Sequence, residues 1–282
     1  MRARNVIVLA AVALLAAACS VSRLAYLNAP PLALWYLGGY VDMSDAQKSL
    51  VRDRLTRALS WHRQRELPEY QHAIEQLIVK SDDGVSLQEA RETYKLARDY
   101  YHRLVEHMLP DFADFLLSVD ASQVARIENK FSDDIKKILK ESVTGTVEER
   151  REKRAKKYID QFEEYTGRLS SEQRELVAKR TRDLDDFTNE RVGDRRYRQS
   201  EILRLIHAKP PRDEIVAKLR ALLIDTESWR RPEYAKKLRD RDEVLIAIVA
   251  DLSPTLTADQ KTNLQKKMRG YVKDISSITA SR

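Results

Sequence analysis

The sequence predicts an all-α protein, a helical bundle of about eight to ten helices. Three observations lead there. Only seven Gly and eight Pro punctuate 282 residues, while Glu, Lys, Arg, Leu and Ala abound and β-branched runs are scarce, which is the composition of helices joined by short loops. Apolar residues recur at helical spacing along the body of the chain. A short helix-opening signature also returns, at Met43-Ser44-Asp45-Ala46-Gln47, Leu169-Ser170-Ser171-Glu172-Gln173 and Leu256-Thr257-Ala258-Asp259-Gln260, with a looser copy at Val119-Asp120-Ala121-Ser122-Gln123. In each copy the side chain of Ser44, Asp120, Ser170 or Thr257 can accept from the backbone N–H three residues on. Gln47, Gln123, Gln173 or Gln260 then reaches back to the cap, so two orphaned donors are satisfied reciprocally. The partner position for a hydrophobic staple is Lys48, Arg174 and Lys261 in three copies and Val124 in the fourth. The apolar residue before the cap must therefore pack elsewhere.

The first eighteen residues stand apart. Arg2 and Arg4 make a positive start, Val6 to Leu15 is apolar, and Ala16-Ala17-Ala18-Cys19 closes the stretch. About 13 apolar residues fall short of the roughly 20 a membrane span needs, so residues 1–18 read as a signal peptide. Its end resembles a bacterial lipoprotein lipobox, with Ala16 where Leu is usual and Leu15 one place earlier. The resemblance implies cleavage before Cys19, the only cysteine, and acylation of that residue with palmitate-type chains. More than one chain is needed for stable anchoring. Ser20, in place of Asp, implies the outer membrane, with the body facing the periplasm. Cleavage would remove two of the 51 basic residues, leaving 49 against 44 acidic and a charge of +5. A basic balance suggests nucleic acid in other settings, but export excludes that partner. Anionic headgroups, lipopolysaccharide or acidic envelope proteins remain.

Residues 19–42 form a lipidated apolar segment containing Leu24, Tyr26, Leu27, Leu32, Leu34, Trp35, Tyr36, Leu37, Tyr40 and Val41. A disordered tether would be polar, so this segment is expected to pack on the body. Arg23-Leu24, Tyr26, Asn28-Ala29-Pro30, Tyr40-Val41-Asp42, Gln47, Val51-Arg52, His62-Arg63 and Glu66-Leu67-Pro68 resemble the opening of an uncharacterised lipoprotein family of Proteobacteria. The resemblance is densest over residues 19–70. It implies lipidation, envelope location and a helical fold, and it brings no activity with it.

The first helix should run from Ser44 to about Leu67, with Leu50, Val51, Leu55, Ala58, Leu59 and Trp61 on its apolar face. Pro68 tightens or kinks the path into Tyr70–Val79. Ser81-Asp82-Asp83-Gly84 is a loop, and Ser86 caps a long helix to about Leu109. Pro110 suits the first turn of another, with Phe112, Phe115, Leu116 and Leu117. Asp120 opens the next, striped by Val124, Ile127, Phe131, Ile135, Ile138 and Leu139, and Thr144-Gly145 ends it. Thr146 and Glu149 form a further capping box ahead of a charged helix that Gly167 terminates. Ser170 starts a long helix with a break at Gly193, followed by Ile202–Ile206 and the Pro210-Pro211 stop. Residues 213–229 and 233–251 read as two more helices, and Thr257 caps the last.

Gln47 to Gln173 is a shift of 126 residues, Gln123 to Gln260 of 137, and Leu77-Ile78 to Leu205-Ile206 of 128. These anchors suggest a duplication, with residues 43–142 and 169–282 as related helical halves and residues 143–168 as a charged connecting helix. The alternative is that capping boxes recur in any helical protein.

Little in the chain carries chemistry. His62 with Glu66, and His102 with Glu106 beside His107, could supply half a metal site, but no second set of ligands completes it, and surface hydrogen bonding is the default. The only Cys is claimed by lipidation, no Gly-flanked Ser elbow occurs, and phosphate-cradling glycine loops are missing. Asp82-Asp83, Asp133-Asp134 and Asp185-Asp186 read as solvated charge. No catalytic residue, metal or cofactor is expected. The run Glu148 to Lys157 sets acids ahead of bases four residues on, as in a solvated helix, with a surface for an acidic partner as the alternative. The repeated opening is also similar to the L-T-x-x-Q signature of the helical periplasmic proteins of the Spy and CpxP type, best matched at Leu256–Gln260, which implies a chaperone or stress modulator. The leading expectation is a non-catalytic outer-membrane lipoprotein that acts by protein contact as an envelope scaffold or adaptor. The alternatives are a Spy-like chaperone and a metal-responsive protein. The sequence does not assign an oligomeric state.

Overall fold

A computed structural model describes residues 23–142, 145–182 and 184–280. The expected signal peptide, residues 1–18, and the expected acylation site Cys19 lie outside the described residues. Within them the chain forms eleven α-helices and no strand, one helix more than the upper end of the expectation. They are α1 (Ala29–Gly38), α2 (Asp45–Trp61), α3 (Leu67–Lys80), α4 (Leu87–Ser118), α5 (Ala121–Ser142), α6 (Val147–Thr166), α7 (Ser171–Arg182), α8 (Thr188–Ala208), α9 (Arg212–Leu223), α10 (Pro232–Leu252) and α11 (Ala258–Ala280).

A long hairpin forms the frame. A single π turn, His62–Glu66, joins α2 to α3, and the backbone N–H of Leu67 reaches His62 O. Pro68 then falls in the first turn of α3, where its missing N–H has no intrahelical partner to lose. The chain reverses through residues 81–86 and returns as α4, whose 32 residues span about 48 Å. Cross-links mark the antiparallel register: Arg54 to Asp111 at 3.1 Å, Arg103 Nη2 to Glu66 at 2.9 Å, and Tyr100 Oη to Glu69 O at 3.3 Å. One end of α4 packs against α10, and the other meets α9, α8 and α2. Beyond the hairpin, α5 pairs with α8, α6 with α7, and α11 lies along α3 and α6. The elements from α8 to α10 thus pack onto the amino-terminal hairpin as well as onto their own neighbours.

Four apolar clusters lie along this frame. Met43 and Val119 join Val41, Val124, Ile127 and Ile206 at one end, while Leu169 and Leu256 join Val177, Ile248 and Leu252 at the other. The residues preceding the four caps therefore anchor tertiary cores instead of stapling their own helices. Between them lie the α4–α9 cluster around Leu109, Ala113 and Ile215, and a smaller one of Leu67, Ile275 and Ile278 with Tyr26, Tyr70 and Ile74.

Three local expectations are corrected. Pro110 does not open a helix; it lies inside α4. Its neighbours Leu109 and Ala113 are 1% and 0% exposed, so burial on both sides keeps the chain helical through the lost hydrogen bond. Gly193 is not a break either, because α8 runs through it and the chain turns at residues 184–187, ahead of Thr188. The helix expected over 213–229 stops at Leu223, before a separate 3-10 turn at Thr226–Ser228. Gly167 ends α6 at φ 79°, a left-handed conformation that suits glycine.

An interior proline costs a helix roughly 3 kcal/mol, part of which is returned by restricting the unfolded chain. Pro110→Ala should accordingly stabilise the protein, by about 1–2 kcal/mol in urea unfolding. A destabilised variant would mean that the ring supports the fold.

Candidate functional site

The four capping glutamines meet in pairs. Ser44 Oγ accepts from Gln47 N at 3.2 Å, and Ser44 N donates to Gln47 Oε1 at 2.9 Å. Gln47 Nε2 then donates to Gln123 Oε1 at 2.9 Å and to Ser118 O at 2.8 Å. Gln123 answers symmetrically, donating to Gln47 Oε1 at 2.8 Å and to Asp42 O at 2.7 Å while accepting from Asp120 N at 3.1 Å. Gln173 and Gln260 repeat the arrangement. Their amides exchange bonds of 2.9 and 2.8 Å, Gln173 donates to Thr255 O, Gln260 donates to Arg168 O, and each accepts from its own cap, Ser170 N or Thr257 N.

Each amide uses both N–H groups and two acceptor positions, so its full capacity is met inside the protein. That is what permits Gln47, Gln123, Gln173 and Gln260 to be only 4–6% exposed. Every carbonyl that receives an amide proton lies two residues before the partner's cap, which fixes the incoming chain as well as the helix. Asp120 and Ser170 also bond Ser122 and Glu172, the next-but-one residues.

The sequence missed this pairing, although a signal was present. A capping box uses only the glutamine's oxygen, which leaves two amide protons to be placed. A hydroxyl residue, Ser118 or Thr255, sits two places before the second cap of each pair and lies 3.4 or 3.3 Å from the glutamine nitrogen.

His107 and His62 are used for packing. His107 stacks on Trp61 with ring centroids 3.8 Å apart, and His62 lies among Tyr26, Trp61 and Tyr70, with Nδ1 3.1 Å from Tyr26 Oη. Glu66, buried, is gripped by both the Nε and Nη2 of Arg103, which leaves its carboxylate engaged. Glu106 is bound by Arg220. Among the described residues no three His, Cys, Asp or Glu side chains gather as metal ligands would. Burial holds the His62 pKa below its usual value, with Glu66 opposing the shift.

The charged stretch on α6 is partly consumed too. Arg150 pairs with Asp186 at 2.7 Å, and Arg154 donates to Leu184 O at 2.6 Å, pinning the turn before α8. Lys156 stays on the surface, paired with Asp160.

An open apolar groove of about 500 Å³ forms where α1, α4, α5, α8 and α9 converge beside the first glutamine pair. Phe112, Phe115, Phe131, Ile202 and Leu223 contribute an apolar floor, and Tyr36 and Phe112 are 59% and 38% exposed. Arg195 and Arg198 stand at its rim. Arg195 reaches Asp134 at 3.2 Å and Arg198 reaches Asp194 at 3.6 Å, while the buried Nε of Arg198 has no hydrogen-bond partner among the described residues. Asp134 also accepts from Tyr40 Oη at 2.7 Å; burial, and then the bonds to Tyr36 and Asp134, raise the Tyr40 pKa. The groove suits apolar side chains bordered by an anion.

A family model matches residues 39–235, from the turn after α1 into α10. The chain belongs to DUF6279, a family of unknown function. The span shared with DUF6279 holds the whole first glutamine pair, the groove's α4, α5, α8 and α9 walls, and Gln173 of the second pair. No curated protein and no solved structure matches the chain.

Two outcomes follow. Gln47→Ala removes a cap and strands the amide of Gln123, and should cost about 2–4 kcal/mol. The double variant Gln47→Ala/Gln123→Ala should cost less than the sum of the single changes; additive losses in urea unfolding would deny the coupling. For His62, the unfolded chain binds a proton near pH 6.5 while the folded site resists it. Stability from this residue is therefore complete above about pH 6.5 and falls as the pH drops through the window below it. His62→Gln should flatten that part of the melting-temperature profile, and an unchanged profile would show that His62 does not cause it.

Proposed function

We propose that the protein is a lipoprotein of the outer membrane, acylated at Cys19 and facing the periplasm, which works by protein contact as an envelope scaffold or adaptor. The observation that carries this reading is the apolar groove rimmed by Arg195 and Arg198. An open apolar recess of this size on a charged surface marks a contact site. Its basic rim suits an envelope protein presenting apolar side chains beside an acidic group. The signal segment ending at Cys19 supports the location. The like bonding of the two glutamine pairs supports descent of residues 43–142 and 169–282 from one duplicated unit.

The groove also favours a second reading, a chaperone or stress modulator of the Spy and CpxP kind, in which the recess holds apolar segments of many unfolded clients. One experiment separates the two. A photocrosslinker placed at Gln199 on the groove rim should capture one dominant envelope protein, and Phe112→Asp should abolish the capture. Many products, together with suppressed aggregation of an unrelated client, would assign the chaperone. Cys19→Ser should release the protein from the membrane fraction; retention would defeat the lipid anchor.

A further inference from the structure

The stretch from Ser20 to Val41 contains no Asp or Glu, and Arg23 is its one cation. A helix apolar on every side is ordinarily buried on every side. Here one side is: Leu34, Leu37 and Tyr40 pack on the first core cluster, and Tyr26 packs on the cluster of Leu67, Ile275 and Ile278. The opposite side is open. Leu24, Leu27, Leu32 and Trp35 are 62%, 46%, 46% and 79% exposed, the first two on the helical turn before Asn28 and the last two on α1. Asn28 caps α1 and ties it to the preceding turn, its N–H bonding to Leu24 O and its carbonyl receiving Leu32 N.

The geometry points to a membrane surface as the occupant of this face: α1 and the helical turn before it lie flat in the lipid–water boundary, inserting Leu24 and Leu27 from the turn and Leu32 and Trp35 from α1. The inference rests on the lipid-anchored reading and specifies how the anchored chain meets the bilayer. Cys19 lies four chain steps before Arg23. Even fully extended those steps span about 14 Å, so an acylated Cys19 keeps the start of the open face at the headgroups. Even counted from Arg23 to Gly38, the helical stretch measures about 24 Å, short of the roughly 30 Å of hydrocarbon, so it is too short to cross and lies in the plane. Tryptophan is suited to that depth. Cations stand at both ends of the stripe to meet anionic headgroups: Arg23 at one, and at the other Arg126, which donates to Gly38 O at 2.8 Å, and Lys130, which shares a recess with Leu34, Trp35 and Gly39.

The test uses the full acylated chain in vesicles that are mostly phosphatidylethanolamine with a minority of phosphatidylglycerol, with bromine on the acyl chains to quench nearby tryptophan. Trp61 stacks on His107 and Trp229 on Tyr197 within the protein, so they serve as internal references. Quenching of the wild type is expected, with loss of that component in Trp35→Phe and in Leu24→Asp/Leu32→Asp. Both variants should still float with the vesicles and keep the wild-type circular-dichroism melt, since all three positions are exposed. A protein that floats with Trp35 unquenched would overturn the interfacial helix and leave the anchor standing. Failure of the wild type to float would remove the anchor and this inference together. Concentration-dependent self-association abolished by Leu24→Asp/Leu32→Asp would give the face to a second copy instead and overturn the proposal.

Discussion

Two buried amide pairs organise this molecule. A primary amide taken out of water must place two protons and satisfy its oxygen, or forfeit the cost of each unmet group. Gln47 and Gln123 solve this jointly, each supplying what the other lacks, and the remaining valences are spent on two helix caps and two incoming backbone segments. Any rotation of α2 against α5 breaks several bonds at once, so the pair sets a register that apolar contacts alone would leave loose. Gln173 and Gln260 impose the same constraint on α7 and α11.

The two pairs stand at opposite ends of the α2–α3/α4 hairpin. Ser118, at the end of α4, receives Gln47. At the other end the reversal loop meets the second pair's surroundings, where Val85 N donates to Ser253 Oγ at 2.8 Å and Lys261 Nζ to Asp82 O at 2.6 Å. Between the two locks, α4 is held by apolar packing with α9 and by Arg–carboxylate pairs such as Arg54–Asp111 and Arg212–Asp114. Exposed pairs of this kind add little each, so the ends of the rod are specified by polar geometry and its middle by burial.

That division explains what the sequence disclosed. Helix starts were legible at Ser44, Ser86, Thr146 and Ser170 because a capping box is local and its residues stand three apart. The joining of boxes was not, since contacts 76 or 87 residues apart leave no periodic trace. Helix interiors were misjudged at Pro110 and Gly193, where intrinsic propensity was overruled by Leu109 and Ala113 on one helix and by the buried Val192 and Asp194 on the other. The apolar character of residues 19–42 announced packing, yet not that a helix there would bury one face and leave the other open. The groove was likewise invisible, because its lining comes from five helices whose stripes each look like ordinary core.

The orientation of α1 would tie a lipid anchor at Cys19 to the groove. Tyr26 Oη reaches Leu59 O near the end of α2, while Val41 and Met43 share the core cluster at its beginning, so α1 runs antiparallel along α2. A helix lying flat in the lipid boundary would therefore lay the whole hairpin along the membrane, with both glutamine pairs at similar height. Tyr36, on the turn after Leu32, borders both the open face and the groove. The groove would then open close to the headgroups and near the tether. A partner entering it would be selected for reach along the bilayer surface, which favours a protein that is itself held to the envelope over a client diffusing freely in the periplasm.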